Sequence, residues 1–384
     1  MLKVGQPEID AVSALIRSGK LFRYHTQSQC ARFEKRYAKF LGVKHAHMTS
    51  SGTTALTAAL AGLAIGPGDE VIVPAHTYMA TAVSVLAVGA IPVIVDVDES
   101  LTISPAAIDD AVGPRTRAVI PVHMWGLPCD MDSIMRVARK RKLLVIEDAC
   151  QGVGGGYNGR MLGSIGDAGA FSFNFFKNMT CGEGGAFVTS DDRVAQQGRC
   201  MIDCCSFYWN GRQDELKPFV ANGSRASEIE GAMMNAQLDR IRGLIRACRA
   251  QKKQILRGVA KSPLQPAPCH SLDYECGTTV AFTFATREDA SDFSTRTKAT
   301  IAAKTGRHTY NEWDPILQKR GAHHPALDPF KLPQNRRCRM NYSADMLPRS
   351  LDILNRTAMV GINLDRTNAQ VQARIRELLA AVKR

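Results

Sequence analysis

The chain has 384 residues, 45% of them apolar and 22% charged, which suffices for one large domain or two unequal ones around a substantial core. This composition excludes a mainly disordered chain, and the lack of a glycine at every third position or of a heptad pattern excludes collagen-like and coiled-coil proteins. Basic residues exceed acidic ones by 13, which favours anionic partners, but no basic stripe with interleaved aromatics indicates a nucleic-acid partner.

The first half of the chain alternates between strand-like and helix-like apolar patterns. An amphipathic helix, and not a signal sequence, is predicted over residues 1–20. Prolines and a glycine interrupt the most apolar stretch, residues 71–97, so we predict a strand–helix–strand unit there and no membrane span. Further helices are predicted at 55–63, 77–88 and 131–140, and strands at 71–74, 91–97, 118–122, 143–146, 168–173 and 185–189. The alternation favours an α/β protein with a mostly parallel sheet covered on both faces.

The pattern changes after residue 189. The sequence predicts a long helix over 227–257, a proline-containing turn at 262–268, a strand at 278–286 and a helix at 368–383. We therefore expect a large domain over residues 1–240 and a smaller α+β domain over residues 241–384, with about the first 25 residues able to pack on the smaller domain.

The cysteines indicate reduced thiols. Eleven are too few for a disulfide scaffold in a chain of this length, and an odd number leaves at least one unpaired, so a cytoplasmic protein is the simpler expectation. Cys200, Cys204 and Cys205 come closest to a cluster of metal ligands. Because CxxC and HExxH sequences are absent, we expect no metal site.

Three local patterns carry chemistry. The segment 49–56 (TSSGTTAL) places a polar, glycine-containing turn before an apolar helix, whose free N–H groups suit a phosphate, although a plain capping motif has the same pattern. Glu147 and Asp148 end an apolar strand, where open α/β sheets bind ligands, although a strand-end acid often only faces solvent. Lys177 follows an aromatic segment that we expect to be a buried strand. An enclosed lysine amine becomes nucleophilic, whereas a surface lysine with a buried stem is the alternative.

A phosphate cradle, a strand-end acid and an enclosed lysine are together the parts that hold pyridoxal phosphate. The lysine forms a Schiff base with this cofactor, and the acid keeps the pyridine nitrogen protonated, so that the ring can accept electrons from the substrate carbon. We therefore predict a pyridoxal-phosphate site in which Lys177 and Asp148 are catalytic.

Several blocks in the same order resemble the DegT/DnrJ/EryC1/StrS family of sugar aminotransferases. They are FEKRYAKFLGV, SSGTTAL, GPGDEVIVPAHTYMATA, RTRAVIPVHMWGLPCDMD, IEDACQ, GSIGDAGAFSFNFFK and GEGGAFVT. The resemblance implies fold type I of the pyridoxal-phosphate-dependent transferases, with a mostly parallel seven-stranded sheet in the large domain and a smaller C-terminal α+β domain. It also implies a homodimer with shared active sites.

The resemblance carries roles onto matching positions. Lys177 matches the lysine of the Schiff base, and Asp148 matches the aspartate on the pyridinium nitrogen. Gln151 matches the residue that reaches the phenolic oxygen of the cofactor, and Tyr78 matches the aromatic that stacks on the ring. The phosphate contacts are matched by Gly52, Thr53 and Ser172.

Two further positions bear on the partner subunit and on the reaction type. In this family an asparagine of an NxRxSE-type motif reaches across the dimer, and here Asn222 stands one place too early relative to Arg225. Asn222 is still the candidate for this cofactor contact. Relatives with dehydratase activity carry histidine in place of the lysine, so Lys177 favours transamination, with an amino acid, first of all glutamate, as the amino donor.

The segments 21–24, 307–313 and 321–325 bear on the acceptor. They differ from those of the family's nucleotide-sugar members and look more like those of members that act on small anionic keto sugars. The first expectation is the 8-oxo form of 3-deoxy-manno-octulosonate (Kdo), giving the 8-amino-Kdo of lipopolysaccharide. The alternatives are a 3-keto-hexose phosphate and a nucleotide-linked keto sugar. Arg23, Arg307 and His308 could bind the anionic group, and each could equally be structural.

Two functions of other classes stay open at this point. One is a catalytically silent binding or sensor protein of the same fold, against which the presence of Lys177 and Asp148 argues. The other is nucleic-acid binding, which nothing but the net charge suggests.

Overall fold

The computed structural model describes residues 4–210 and 217–382. Helices and strands alternate along most of this length. The helices are α1 (Gln6–Ser18), α2 (Gln29–Leu41), α3 (Gly52–Gly62), α4 (Ala80–Ala87), α5 (Pro105–Ala111), α6 (Met131–Arg141), α7 (Asp192–Ile202), α8 (Phe207–Asn210), α9 (Glu228–Val259), α10 (Arg287–Thr297), α11 (Asp314–Leu317), α12 (Pro348–Asn355) and α13 (Asn368–Ala380). The strands are β1 (His45–Thr49), β2 (Glu70–Pro74), β3 (Ile91–Val95), β4 (Thr116–Val119), β5 (Leu144–Asp148), β6 (Gly156–Tyr157), β7 (Arg160–Met161), β8 (Ala168–Ser172), β9 (Gly185–Thr189), β10 (Gln265–Pro266), β11 (Thr279–Thr283), β12 (Thr300–Ile301) and β13 (Thr357–Gly361).

The main sheet confirms the predicted α/β class and its mostly parallel sheet. Among the described residues it has seven strands in the order β1–β9–β8–β5–β4–β2–β3, and β9 alone runs against the others. Successive side chains of a strand point to opposite faces. Val145 and Phe171 accordingly lie in one core with residues of α2 and α6, whereas Ile146 and Ala170 lie in a second core with α3 and α4.

This topology concentrates turns at one edge of the sheet. Because β1, β2, β4, β5 and β8 run in the same direction, their carboxyl ends meet at one edge, where open α/β sheets bind ligands. The segments that leave this edge are residues 50–53, 75–79, 120–126, 149–152 and 173–178.

A second sheet, in the order β10–β11–β13–β12 and antiparallel throughout, forms a separate core with α10 and α13. The carboxyl-terminal half of α9 packs into this core at Ile255 and Val259, whereas its first half belongs to the core of the main sheet. The predicted domain boundary at residue 240 therefore falls inside one continuous helix of 32 residues.

Two chain segments also differ from the predicted division into domains. After the second sheet has begun, the chain returns to the main sheet, where Tyr310, Trp313 and Ile316 pack with α3 and α4. At the other end, Glu8 of α1 accepts a hydrogen bond from Gln237 and pairs with Arg240, so α1 packs on the first half of α9. In the described part of the chain, we find no helix that combines the length and the apolar character needed to cross a membrane.

Candidate active site

A cleft with two connected chambers lies at the carboxyl edge of the main sheet. The inner chamber has a volume of about 240 Å³ and the outer chamber about 400 Å³. Their shared wall consists of Tyr78, Cys150, Gln151, Asn174 and Lys177. Lys177 therefore faces both spaces.

The start of α3 forms one end of the inner chamber. The Ser51 hydroxyl caps the helix by accepting the N–H of Thr54 at 3.2 Å, and the N–H groups of Gly52 and Thr53 before it have no carbonyl partner within the helix. A Cβ atom at Gly52 would lie 2.8 Å from both Cys150 Sγ and Ser172 Cβ, so the position requires glycine. The bare helix start, with its positive dipole end, suits an anion.

Asp148 lies at the end of β5 and lines the inner chamber with 5% of its surface exposed. Its Oδ2 accepts the Thr81 hydroxyl at 2.8 Å and its Oδ1 accepts the N–H of Cys150 at 3.1 Å. Within residues 4–210 and 217–382 this carboxylate has no cationic partner. A buried carboxylate supported by neutral donors alone favours a cation in the space that it faces.

The neighbouring acid, Glu147, points to the opposite face of β5 and has a structural environment. Its two oxygens accept the N–H groups of residues 163, 165 and 166 and the Nε2–H of His123. The His123 proton lies on Nε2 because Nδ1 accepts the N–H of Cys129. Of the two strand-end acids, Asp148 is therefore the one available to a ligand.

The sequence pattern predicted that Lys177 directly follows a buried strand. In the structure, Lys177 lies instead in the turn after β8. β8 ends at Ser172, and Phe175 and Phe176 are 55% and 70% exposed. The turn is held by the N–H of Lys177, which bonds to Asn174 O at 3.0 Å, and by the Asn178 side chain, which donates to Val153 O at 2.9 Å. The lysine is half-buried and lines both chambers.

Tyr78 and Gln151 lie where the two chambers meet. The predicted helix at 77–88 begins at Ala80, because Thr77 and Tyr78 form the turn that enters the cleft. Tyr78 is 47% exposed. Gln151 Oε1 accepts the backbone N–H of Trp125 at 3.0 Å, which leaves the Nε2 group of Gln151 as its donor.

The outer chamber brings together residues that are distant in the sequence. Trp125 follows β4, Thr278 precedes β11, and Arg307 and His308 follow β12. The His308 ring meets the Trp125 ring edge-on, with centroids 4.9 Å apart. Burial, together with nearby cationic groups, lowers the pKa of His308 to about 3, so its imidazole is neutral near pH 7. The exposed Arg307 guanidinium lies over the Phe176 ring at 5.9 Å.

Two predicted site residues lie outside both chambers of this protomer. Arg23 pairs with Glu34 at 2.6 Å and lines a separate cavity of about 320 Å³. Asn222 is exposed in the segment that precedes the bridge between Thr49 and Arg225. Their assignments to substrate and to the partner's cofactor stay predictions.

The cysteines do not form a metal site in the described ranges 4–210 and 217–382. No group of three His, Cys, Asp or Glu side chains gathers there closely enough to hold a metal ion. Cys204 and Cys205 have their sulfur atoms 3.8 Å apart, and Cys200 instead contacts the backbone of Phe219.

Sequence reasoning missed three residues that shape the cleft: Thr81, Trp125 and Thr278. Thr81 lies three residues after Tyr78, the predicted cofactor contact. The feature that could have identified it is a hydroxyl group on the side of α4 that faces β5. Trp125 and Thr278 carry no local signal. Their proximity arises from the fold, in which Thr278 Oγ1 donates to Trp125 O at 2.9 Å.

Comparison with known proteins gives both sequence and structural matches. Residues 3–313 match the DegT/DnrJ/EryC1/StrS aminotransferase family. Over 214 residues the chain is 45% identical to GDP-perosamine synthase of Caulobacter vibrioides, a match that covers 54% of this chain and 56% of that protein. Over 230 residues it is 39% identical to dTDP-3-amino-3,4,6-trideoxy-alpha-D-glucose transaminase of Streptomyces venezuelae, covering 59% of each. The chain thus matches a little more than half the length of these curated relatives.

A structural match extends over nearly the entire chain. The crystal structure of S. venezuelae DesV in complex with a ketimine intermediate superposes with a TM-score of 0.77 at 28% identity, covering 98% of this chain and 95% of that one. The likeness therefore includes the second sheet and the long helix α9.

Proposed function

The chain belongs to the DegT/DnrJ/EryC1/StrS aminotransferase family and has fold type I of the pyridoxal-phosphate-dependent transferases; from this premise we propose that it moves an amino group from an amino acid to a keto sugar. The observation that carries the proposal is the inner chamber. There a buried carboxylate (Asp148), a lysine (Lys177) and a bare helix start (Gly52, Thr53) face one space.

The residues of the inner chamber fit pyridoxal phosphate. The helix start at Gly52 and Thr53, with Ser172 beside it, would hold the phosphate, and the absence of room for a Cβ atom at residue 52 keeps the amides accessible. Asp148, which has no cationic partner among the described residues, would hold the protonated ring nitrogen. Tyr78 and Gln151 would contact the ring and its phenolic oxygen. When bound, this cofactor supplies a protonated ring that accepts the electron pair of the substrate carbon.

The chain's own residues then divide the work of amino transfer. Lys177 Nζ takes the proton from the donor carbon that bears the amino group, and returns a proton to the former carbonyl carbon of the acceptor. Asp148 keeps its negative charge toward the ring nitrogen in both halves of the reaction, and Thr81 and the N–H of Cys150 fix the direction of its oxygens. The neutral His308 and Trp125 form the apolar side of the outer chamber, which receives the acceptor.

For the acceptor, we propose a keto sugar that carries an anionic group. Arg307 lies at the outer chamber, where a guanidinium suits a carboxylate or phosphate. The 8-oxo form of Kdo, with its single carboxylate, is our first candidate, which would place the product in lipopolysaccharide. A nucleotide-linked keto sugar is the second, and the names of the C. vibrioides and S. venezuelae relatives favour it. Glutamate is the proposed amino donor.

We further propose a homodimer in which each site is completed by the partner subunit. Phe175 and Phe176, immediately before Lys177, are largely exposed on the single chain, as is Asn222. Exposed aromatic side chains beside a reactive group are typical of surfaces that a protein partner covers.

The test of this proposal starts from Lys177. Purified protein should be yellow, and borohydride should attach the cofactor irreversibly to Lys177. The Lys177→Ala variant should lose amino transfer by roughly 10⁴-fold or more, the upper range for general acid–base catalysis, while keeping its fold. Lys253→Ala, at a half-buried lysine of α9 that pairs with Asp273, is the matched control and should transfer normally.

Substrate choice needs a second measurement. The pyridoxamine form is mixed with 8-oxo-Kdo, a 3-keto-hexose phosphate and a nucleotide-linked keto sugar, and return of the aldehyde cofactor is followed by absorbance. Transfer to one of them names the acceptor. A protein that binds the cofactor and transfers to none would favour the silent binding or sensor alternative, and transfer retained in Lys177→Ala would contradict the assignment of the lysine.

A further inference from the structure

Trp125 has a backbone conformation that its side chain disfavours. Its φ of 57° and ψ of 20° lie in the left-handed region, where residues other than glycine are uncommon. The next residue, Gly126, also has a positive φ, and a Cβ atom there would lie 2.6 Å from Cys276 Cβ, so that position requires glycine. Such strain persists when the surroundings hold it, and it is frequent at functional sites.

Hydrogen bonds to three separate segments hold Trp125. Its N–H donates to Gln151 Oε1 at 3.0 Å, and its indole Nε1–H donates to His76 Nε2 at 3.3 Å. Its carbonyl accepts the Thr278 hydroxyl at 2.9 Å. The three partners follow β5, follow β2 and precede β11, so Trp125 ties two turns of the main sheet to the second sheet.

His76 is a fixed acceptor for the indole. Its Nδ1–H donates to Leu101 O at 3.0 Å, which leaves Nε2 with a lone pair. His76 is fully buried, and burial lowers its pKa to about 4, so the ring stays neutral near pH 7. The direction of the Trp125 indole is therefore set by a group that does not change its protonation in the working range.

The consequence falls on Gln151. Because Oε1 accepts the Trp125 N–H, the two orientations of the amide are no longer equivalent, and Nε2 is the group that Gln151 offers to the chambers it lines. A glycine at position 125 would accept the backbone conformation without strain, but it would lack the indole that anchors the peptide on His76.

We propose that Trp125 is a positioning residue: anchored through its indole on His76, its backbone N–H fixes the Gln151 amide with Nε2 as the hydrogen-bond donor to the bound cofactor. This inference rests on the proposed function, because it concerns the contact between Gln151 and the phenolic oxygen of pyridoxal phosphate. It makes the tryptophan side chain, which need not touch the cofactor, a determinant of how that oxygen is bound.

The test measures cofactor binding, not turnover. The Trp125→Phe variant loses the indole donor but keeps an aromatic ring. The Trp125→Gly variant also removes the backbone strain at position 125, so this variant should fold even if Trp125→Phe does not. Both should raise the dissociation constant for pyridoxal phosphate about 3- to 10-fold, the range of one net hydrogen bond. The pH midpoint of the bound cofactor's visible band should rise by about 0.5 to 1 pH unit, because a donor at the phenolic oxygen stabilises the deprotonated form.

A double variant and a control variant distinguish positioning of Gln151 from a general loss of packing in the cleft. Because Trp125 acts through Gln151, adding Trp125→Phe to Gln151→Ala should change neither quantity further. The matched control is Trp313→Phe, at a buried tryptophan outside the cleft whose Nε1 has no hydrogen-bond partner in the described chain; it should leave the pH midpoint unchanged.

The outcomes distinguish this inference from the proposed function. Wild-type protein that takes up no cofactor at Lys177 would overturn both. Normal uptake, with Trp125 variants that keep the wild-type midpoint and dissociation constant or whose effects add fully to those of Gln151→Ala, would overturn the positioning role alone.

Discussion

The two chambers of the cleft are built in different ways. The inner chamber is formed by turns that directly follow strands of one sheet: Gly52 after β1, Asp148 at the end of β5, and Ser172 at the end of β8. To the wall that it shares with the inner chamber, the outer chamber adds side chains that are distant in the sequence, such as Trp125, Thr278 and His308, which approach one another because the second sheet packs beside the first. Backbone geometry thus determines the inner chamber, and packing between distant segments determines the outer one.

This difference separates two aspects of the proposed reaction. A change in the inner chamber should affect both halves of amino transfer, since donor and acceptor use the same cofactor. A change in the outer chamber should affect the acceptor half more than the donor half. Variants of single residues can therefore show whether the two chambers are functionally distinct.

The largest effect expected within this comparison is that of Asp148→Asn. The asparagine oxygen can still accept the N–H of Cys150, and the Thr81 hydroxyl can turn to accept from the new amide, so the fold should persist. The charge opposite the ring nitrogen is lost, and both half-reactions should slow by roughly 10²- to 10³-fold, as for removal of one preorganised electrostatic group. Single-turnover rates with donor and with acceptor measure this.

Glu147→Gln is the matched control, because it neutralises the adjacent acid on the other face of β5. Its new NH₂ group would meet the backbone N–H donors of residues 163, 165 and 166, so stability should fall by about 1–3 kcal/mol while the folded protein keeps its transfer rate. Equal losses of rate in the two variants would contradict the assignment of Asp148 to the cofactor.

A smaller effect is expected from Gly52→Ala at the start of α3. The added methyl group would lie 2.8 Å from Cys150 Sγ and Ser172 Cβ, and overpacking of this kind costs about 1–3 kcal/mol. Where this cost falls on the cofactor complex, it raises the dissociation constant roughly 5- to 150-fold. Titration of the cofactor-free protein with pyridoxal phosphate measures this. In Gly243→Ala, within α9 and with open space for the methyl group, affinity should be unchanged and stability should rise by about 0.5–1 kcal/mol. Unchanged affinity for the cofactor in Gly52→Ala would contradict the assignment of the phosphate to this helix start.

The predictability of the fold follows the same division. Apolar runs such as those of β2 and β8 are buried at every position, and their pattern predicted them. The sequence HAHMT of β1 has two histidines on its half-exposed face and no such pattern, and it was missed although it closes one side of the sheet. The return of residues 310–316 to the main sheet was also missed, since no local pattern encodes which of two cores a segment joins.

For the candidate site, motifs indicated candidate residues but not how their side chains are oriented. The pair Glu147 and Asp148 was visible in the sequence, whereas their opposite directions follow from strand alternation once the cleft face is known. Arg23 and Arg307 had equal standing as anion-binding candidates. The structure places Arg23 beside Glu34 and Arg307 at the outer chamber, a difference set by contacts between segments far apart in the chain.

The smallest effect is expected from Arg307→Met, which tests the outer chamber alone. Because the guanidinium is exposed, losing its contact with an anionic keto sugar should raise the acceptor KM by roughly tenfold, the lower range for a charge-assisted hydrogen bond, and salt should reduce the difference. The donor half-reaction should keep its rate. Arg287→Met, at an exposed arginine near Asp352 on the second sheet's side, controls for loss of surface charge and should leave the acceptor KM unchanged. If Arg307→Met slowed both half-reactions equally, the two chambers would act as one site, and the anionic group of the acceptor would have to be bound elsewhere.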